Sequence, residues 1–173
     1  SNVRFMSYLF NGARAFNQPI GQWDVSNVII MEYLFSSATC FNQPIEQWDV
    51  RNVVDMNGMF SKAVSFNQPI GQWDVSHVRE MEEMFYEATL FNQPIGHWDV
   101  SNVFFMPLMF CGATLFNQPL EQWDVSKVGK RYGIFSDTAM TNQPLLNWRM
   151  CSHFDDKMMW ELQCEQMRLG DEY

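Results

Sequence analysis

The sequence is short of charge, and shortest of positive charge. Charged residues are 18% of 173 positions, with 11 basic against 20 acidic and a net charge of −9. Phosphate recognition needs a basic footprint, so nucleic acid and anionic membranes are excluded as general partners. No apolar run approaches the roughly 18 residues that a membrane-spanning helix needs. Four cysteines carry no Cys-x-x-Cys pair and no metal-spaced His/Cys cluster, so neither a disulfide framework nor a metal site is expected. The Asn-x-Ser/Thr sequon is missing, which weakens a glycosylated secreted reading. No nucleophile elbow, phosphate loop, dinucleotide fingerprint or paired-acid site occurs, so no enzyme and no cofactor is expected. The chain opens at Ser1 with neither Met nor a signal-like segment. Its compartment is therefore open, with a cell surface or an organelle- or assembly-associated position both compatible.

What is present is periodic. Trp recurs at 23, 48, 73, 98, 123 and 148, and Pro at 19, 44, 69, 94, 119 and 144, always 25 apart. Phe-Asn-Gln-Pro begins at Phe16, Phe41, Phe66, Phe91 and Phe116, and Asn142-Gln143-Pro144 is a sixth, altered copy. Fixed self-similarity at this length marks a repeat array. Residues 1–150 read as six 25-residue repeats and 151–173 as a separate C-terminal helical cap. Hydrophobic content of 47% is ample for a core.

Within a unit, Ile20, Trp23, Val25, Val28 and Met31 have the apolar spacing of a leucine-rich repeat. Trp23 and Val25 predict one face of a short strand, with Gln22 and Asp24 on the other. Val28, Met31, Leu34, Phe35 and Ala38 recur at 3–4 spacing and predict a short helix. The fold class expected is an α/β repeat: a right-handed leucine-rich-repeat-like solenoid of short parallel strands and short helices, closed by the capping helix. Pro107 falls inside the fifth expected helix, which predicts a late start near residue 106 or a distorted unit.

The pattern in Met59-Phe60, Ala63, Phe66-Asn67-Gln68-Pro69-Ile70, Trp73-Asp74-Val75-Ser76, Val78 and Met81 resembles the BspA-like leucine-rich-repeat surface proteins. The likeness runs from residue 1 to about 148. It implies a repeat solenoid used in surface adhesion or protein–protein contact, without catalytic residues. The sixth unit departs from the pattern at 128–133 and at Arg149-Met150.

Equivalent residues of stacked units form columns about 4.8 Å apart. The Met, Phe and Trp columns read as core, and the Asn17–Asn142 column as a buried ladder bonding turn backbone. Asp24, Asp49, Asp74, Asp99 and Asp124 repel by about 0.9 kcal/mol per neighbouring pair even in water. An Asx-turn or helix cap at each one is the expected offset; a basic partner segment is a sharper alternative, and calcium a poor one, since it needs 6–8 oxygens. Gln22, Gln47, Gln72, His97 and Gln122 share the strand face with these acids, and together they form the expected surface for an extended protein partner. A small-molecule ligand is not expected. On the helix face, Ile29, Ile30, Tyr33, Phe104, Phe105 and Leu108 form a second candidate interface, through which the chain would be a structural or accessory subunit of a larger, possibly membrane-associated, assembly. Glu80, Glu82, Glu83 and Glu87 read as a solvated acidic face, and Lys127, Lys130 and Arg131 as a small basic spot. Cys40 and Cys111 lie too far apart to pair, while Cys151 and Cys164 could. A helix over about 153–169 would cap one end of the array. The other end begins inside a unit, so preceding units or another subunit would cover it.

Overall fold

The computed structural model of the chain describes residues 2–140. Parallel single-residue bridges link Phe5 to Ile30, then Asp55, Glu80, Phe105 and Lys130. Each step is 25 residues, so every sequence repeat makes one coil, laid in register on the last. These bridge residues number the coils 1 to 6.

The expected strands and helices are not there. Among the described residues no helix forms, and strand pairing is confined to the isolated bridges. The α/β leucine-rich-repeat-like solenoid is therefore the wrong fold class. The stretch expected to be helical is a run of tight turns. Leu34, Ser36 and Ala38 donate their N–H groups to the carbonyls three residues back, at 3.2, 3.2 and 3.0 Å. The alternate N–H groups of Met31, Tyr33, Phe35 and Ser37 leave the coil. They donate to Asp55, Asn57, Met59 and Ser61 of the next one, at 3.0, 2.7, 2.9 and 2.7 Å. An α-helix would keep all of these donors for itself. Left-handed residues enforce the departure: Tyr33 (φ 49°) and Ser37 (φ 58°) in coil 2, with equivalents in every other coil. Such a residue at every fourth position cannot continue a right-handed helix, and costs about 1–2 kcal/mol when it is not glycine. The inter-coil hydrogen bonds offset that cost.

The expected strand at 23–25 is also a turn region. Trp23 N–H donates to Ile20 and Val28 N–H to Val25, at 3.0 and 2.8 Å. Inward and outward alternation survives, with Val25 buried and Asp24 exposed, although the inter-coil ladder runs instead over positions 29–37. Pro107 is accommodated by the same geometry. It stands where the other coils carry Glu32, Asn57 or Glu82, whose N–H groups take no part in the inter-coil backbone ladder. Asn57 N–H goes to Asp55 Oδ1 and Glu82 N–H to Asn57 Oδ1. A residue without an N–H loses nothing there.

The core follows the columns. Phe35, Phe60, Phe85 and Phe110 are fully buried, with successive rings 5.5–5.7 Å apart and within 8° of parallel. Phe41, Phe66, Phe91 and Phe116 form a second aromatic column beside them, about 4 Å away within each coil. Each inner tryptophan reaches back: Trp48, Trp73, Trp98 and Trp123 donate Nε1–H to the carbonyls of Ile20, Ile45, Ile70 and Ile95 at 3.1–3.2 Å. The Asn column is a ladder, partly rather than fully buried. Asn17, Asn42, Asn67 and Asn92 each accept, on Oδ1, the backbone N–H of the next Asn at 2.9–3.0 Å. Cys40 and Cys111 remain thiols. The capping helix, the Cys151/Cys164 pair, Asn142 and Trp148 lie outside the described residues.

Candidate functional site

The turn closing at Trp23 and the turn opening at Val25 leave Gln22 and Asp24 projecting outward, and each later coil repeats this. Gln22, Gln47, Gln72, His97 and Gln122 are all exposed, as are Asp24, Asp74, Asp99 and Asp124, with Asp49 half-buried. One polar strip therefore crosses five coils. The five acids are held as Asx-turns, each accepting the N–H two residues on: Ser26, Arg51, Ser76, Ser101 and Ser126, at 3.0–3.3 Å. The Ser76 hydroxyl, 2.6 Å from Asp74, and then the Ser76 N–H hold the Asp74 carboxyl below its usual range. Ser126 does the same for Asp124. In coil 2 Arg51 replaces the serine and places its Nε 2.8 Å from Asp49. Gln47 and Gln72 make no hydrogen bond among the described residues, so their amides are available. Beside His97 and Gln122, a small recess is floored by Pro94, Gly96 and Pro119.

The second candidate set is not one patch. Ile29 and Ile30 belong to coil 2, Phe104 and Phe105 to coil 5, and Asp55 and Glu80 stand between Ile30 and Phe105 in their column. Phe104 is 47% exposed. Phe105 lies under Lys130, whose Nζ is 5.7 Å from the ring centroid. Tyr33 stacks on Tyr8 at 5.3 Å and covers Gly58, while Leu108 covers Gly133. The acidic residues of this side are partly drawn in. Asn57, itself buried, donates Nδ2–H to Glu80 at 2.9 Å, and burial pushes the Asp55 and Glu82 carboxyls above their usual range. Among the described residues no three His, Cys, Asp or Glu side chains gather as metal ligands would. No helix there is long and apolar enough to cross a membrane.

A third surface takes in Ile29 of the second candidate set, but as a groove it was not expected from the sequence. Positions 27 and 29 of successive coils flank an open groove of about 620 Å³, lined by Asn2, Arg4, Asn27, Ile29, Asn52 and Val54. Its signal was available: no acidic residue occurs at either position in any of the six units.

No curated protein and no solved structure matches the chain. One family model does, twice in overlapping stretches, over residues 1–89 and 68–167. The chain belongs to DUF285, described as a Mycoplasma protein of unknown function, the family of the BspA-like surface repeat proteins.

Proposed function

We propose that this chain is a non-catalytic protein-interaction module that takes an extended protein partner along the strip from Gln22 and Asp24 to Gln122 and Asp124. The observation that carries the reading is the in-register exposure of four glutamine amides and His97 beside turn-fixed carboxylates over five coils. Side chains already held by the backbone lose little freedom on binding. Repeat arrays present broad, rigid recognition surfaces of this kind. The resemblance to BspA-like surface proteins favours an adhesive or contact role at a cell surface.

Hydroxyl-radical footprinting of the protein with its co-purifying partner tests this. Protection at 22–24, 47–49 and 72–74, lost when Gln72 and Asp74 are changed together to Ala, is expected. A second reading, an assembly subunit docked through its apolar residues, is favoured by the exposed Phe104 ring. It requires protection at 104–105 instead, lost in a variant carrying Phe104→Ser and Phe105→Ser.

A further inference from the structure

The groove between positions 27 and 29 carries the opposite electrostatic sign to the rest of the molecule. One wall of the groove is Arg4, Ile29 and Val54, and the same column continues through Arg79 and Phe104 of coils 4 and 5. Arg79 continues this wall, since its backbone N–H donates to the Val54 carbonyl at 2.9 Å, as Val54 does to Ile29 at 2.8 Å. The other wall carries Asn27 and Asn52, then His77, Asn102 and Lys127. A chain of net charge −9 has thus kept both walls free of carboxylates. Arg4 and Arg79 are exposed and form no ion pair among the described residues. Two half-buried apolar side chains, Ile29 and Val54, lie between them. On the facing wall Asn52 spends its Nδ2–H on the Ser26 carbonyl at 2.7 Å. Its own amide oxygen stays available to accept a peptide N–H.

We propose that this groove binds an extended acidic segment of a partner protein, lying along the stack with carboxylates at residues i and i+4 and an apolar side chain at i+2. The spacing follows from two pitches. Arg4 and Arg79 are three coils apart, roughly 14 Å at the spacing of paired backbones, while four residues of extended peptide span about 13 Å. In an extended segment i, i+2 and i+4 share one face. The central side chain then falls midway between the coils of Ile29 and Val54. Guanidinium–carboxylate pairs at both ends fix the register, and the apolar floor excludes a uniformly charged ligand from the middle. Two cations so far apart are poorly matched to the closely spaced phosphates of nucleic acid. This surface is separate from the Gln/Asp strip, and its occupation does not depend on a partner there.

Fluorescence anisotropy with two labelled peptides tests the proposal. The first carries the core Asp-Thr-Leu-Thr-Asp; the second carries the same residues as Leu-Asp-Asp-Thr-Thr. Binding of the first is expected to be about tenfold tighter. Arg79→Gln should remove that advantage without moving the melting temperature, and Arg4→Gln should act likewise if the first variant is poorly folded. Asp74→Asn, on the strip, should leave it intact. Equal binding of the two peptides, no binding of the first at millimolar concentration, or indifference to both arginine changes overturns the proposal. So does heparin binding more tightly than the first peptide and losing its affinity with Arg79→Gln, which would make the groove a general polyanion site.

Discussion

Gly58 has φ +56° and lies beneath the Tyr33 ring, and a Cβ built there would be 2.1 Å from Tyr33 Cε1. Gly12, in the second left-handed column, at the turn that closes coil 1's ladder, has φ +73° and nothing within 4 Å. The two separate backbone strain from collision. Gly12→Ala should cost only the left-handed penalty, about 1 kcal/mol, and Gly58→Ala about 3 kcal/mol, because the ring must also move. Urea unfolding of both variants checks this; equal losses would mean that Tyr33 yields freely. Protonation divides the acids in the same local way. Asp74 and Asp124 titrate below their unfolded range, so their contribution is complete above roughly pH 4 and is lost as pH falls through the folded values. Asp55 and Glu82 titrate above theirs, so the penalty they impose at neutral pH lifts as pH falls towards roughly 4. The melting temperature should therefore peak in mildly acidic solution. Asp55→Asn keeps an acceptor for the Asn57 N–H, and should raise melting at pH 7 while reducing the gain on acidification. An unchanged pH profile in that variant would remove Asp55 from the account.

Coil by coil, stability rests on what each turn hands to its neighbour. Trp73→Phe leaves the ring packed but strips the Ile45 carbonyl of its indole donor, at a cost of about 1–2 kcal/mol. Trp23, 43% exposed in coil 1, should tolerate the same change almost without loss. Leu108→Pro supplies a sharper contrast. Pro107 is native, yet one position on the N–H donates to Tyr132 at 3.0 Å and φ is +56°, which proline cannot adopt. That variant should lose about 3 kcal/mol or more in thermal or urea unfolding. The same alternation explains what could be read from the letters. Period, register, aromatic columns, indole donors, the Asn ladder and the Asx-turns all follow from residue identity at fixed spacing. Helix against serial turns does not, because consecutive four-residue turns also bring Val28, Met31, Leu34 and Phe35 inward at intervals of three and four. Two signals spoke for turns. Gly12, Gly58, Gly112 and Gly133 fall only in the two left-handed columns, and Pro107 sits where a helix would resist it.

At the scale of the molecule, the hydrogen bonds and ring contacts between coils join neighbours among the described residues, so length should be adjustable in whole periods. Deleting residues 66–90 removes one full turn and keeps every column aligned. That variant should still unfold cooperatively with a smaller urea dependence, whereas deleting twelve residues from the same start should abolish folding. EDTA should leave melting unchanged, since each coil offers the strip a single Asp carboxylate, already engaged with its serine or, at Asp49, with Arg51. A fall in melting on chelation would bring calcium back as the offset for the Asp column.

The indole clasps have a direction. Each fastens a tryptophan to a carbonyl 28 residues nearer the amino terminus, never ahead of it. A chain emerging from the ribosome can therefore latch every new turn as soon as its tryptophan is clear, onto a predecessor already outside. Synthesis and assembly then advance in the same sense, and the half-made protein never has to await its own distant end.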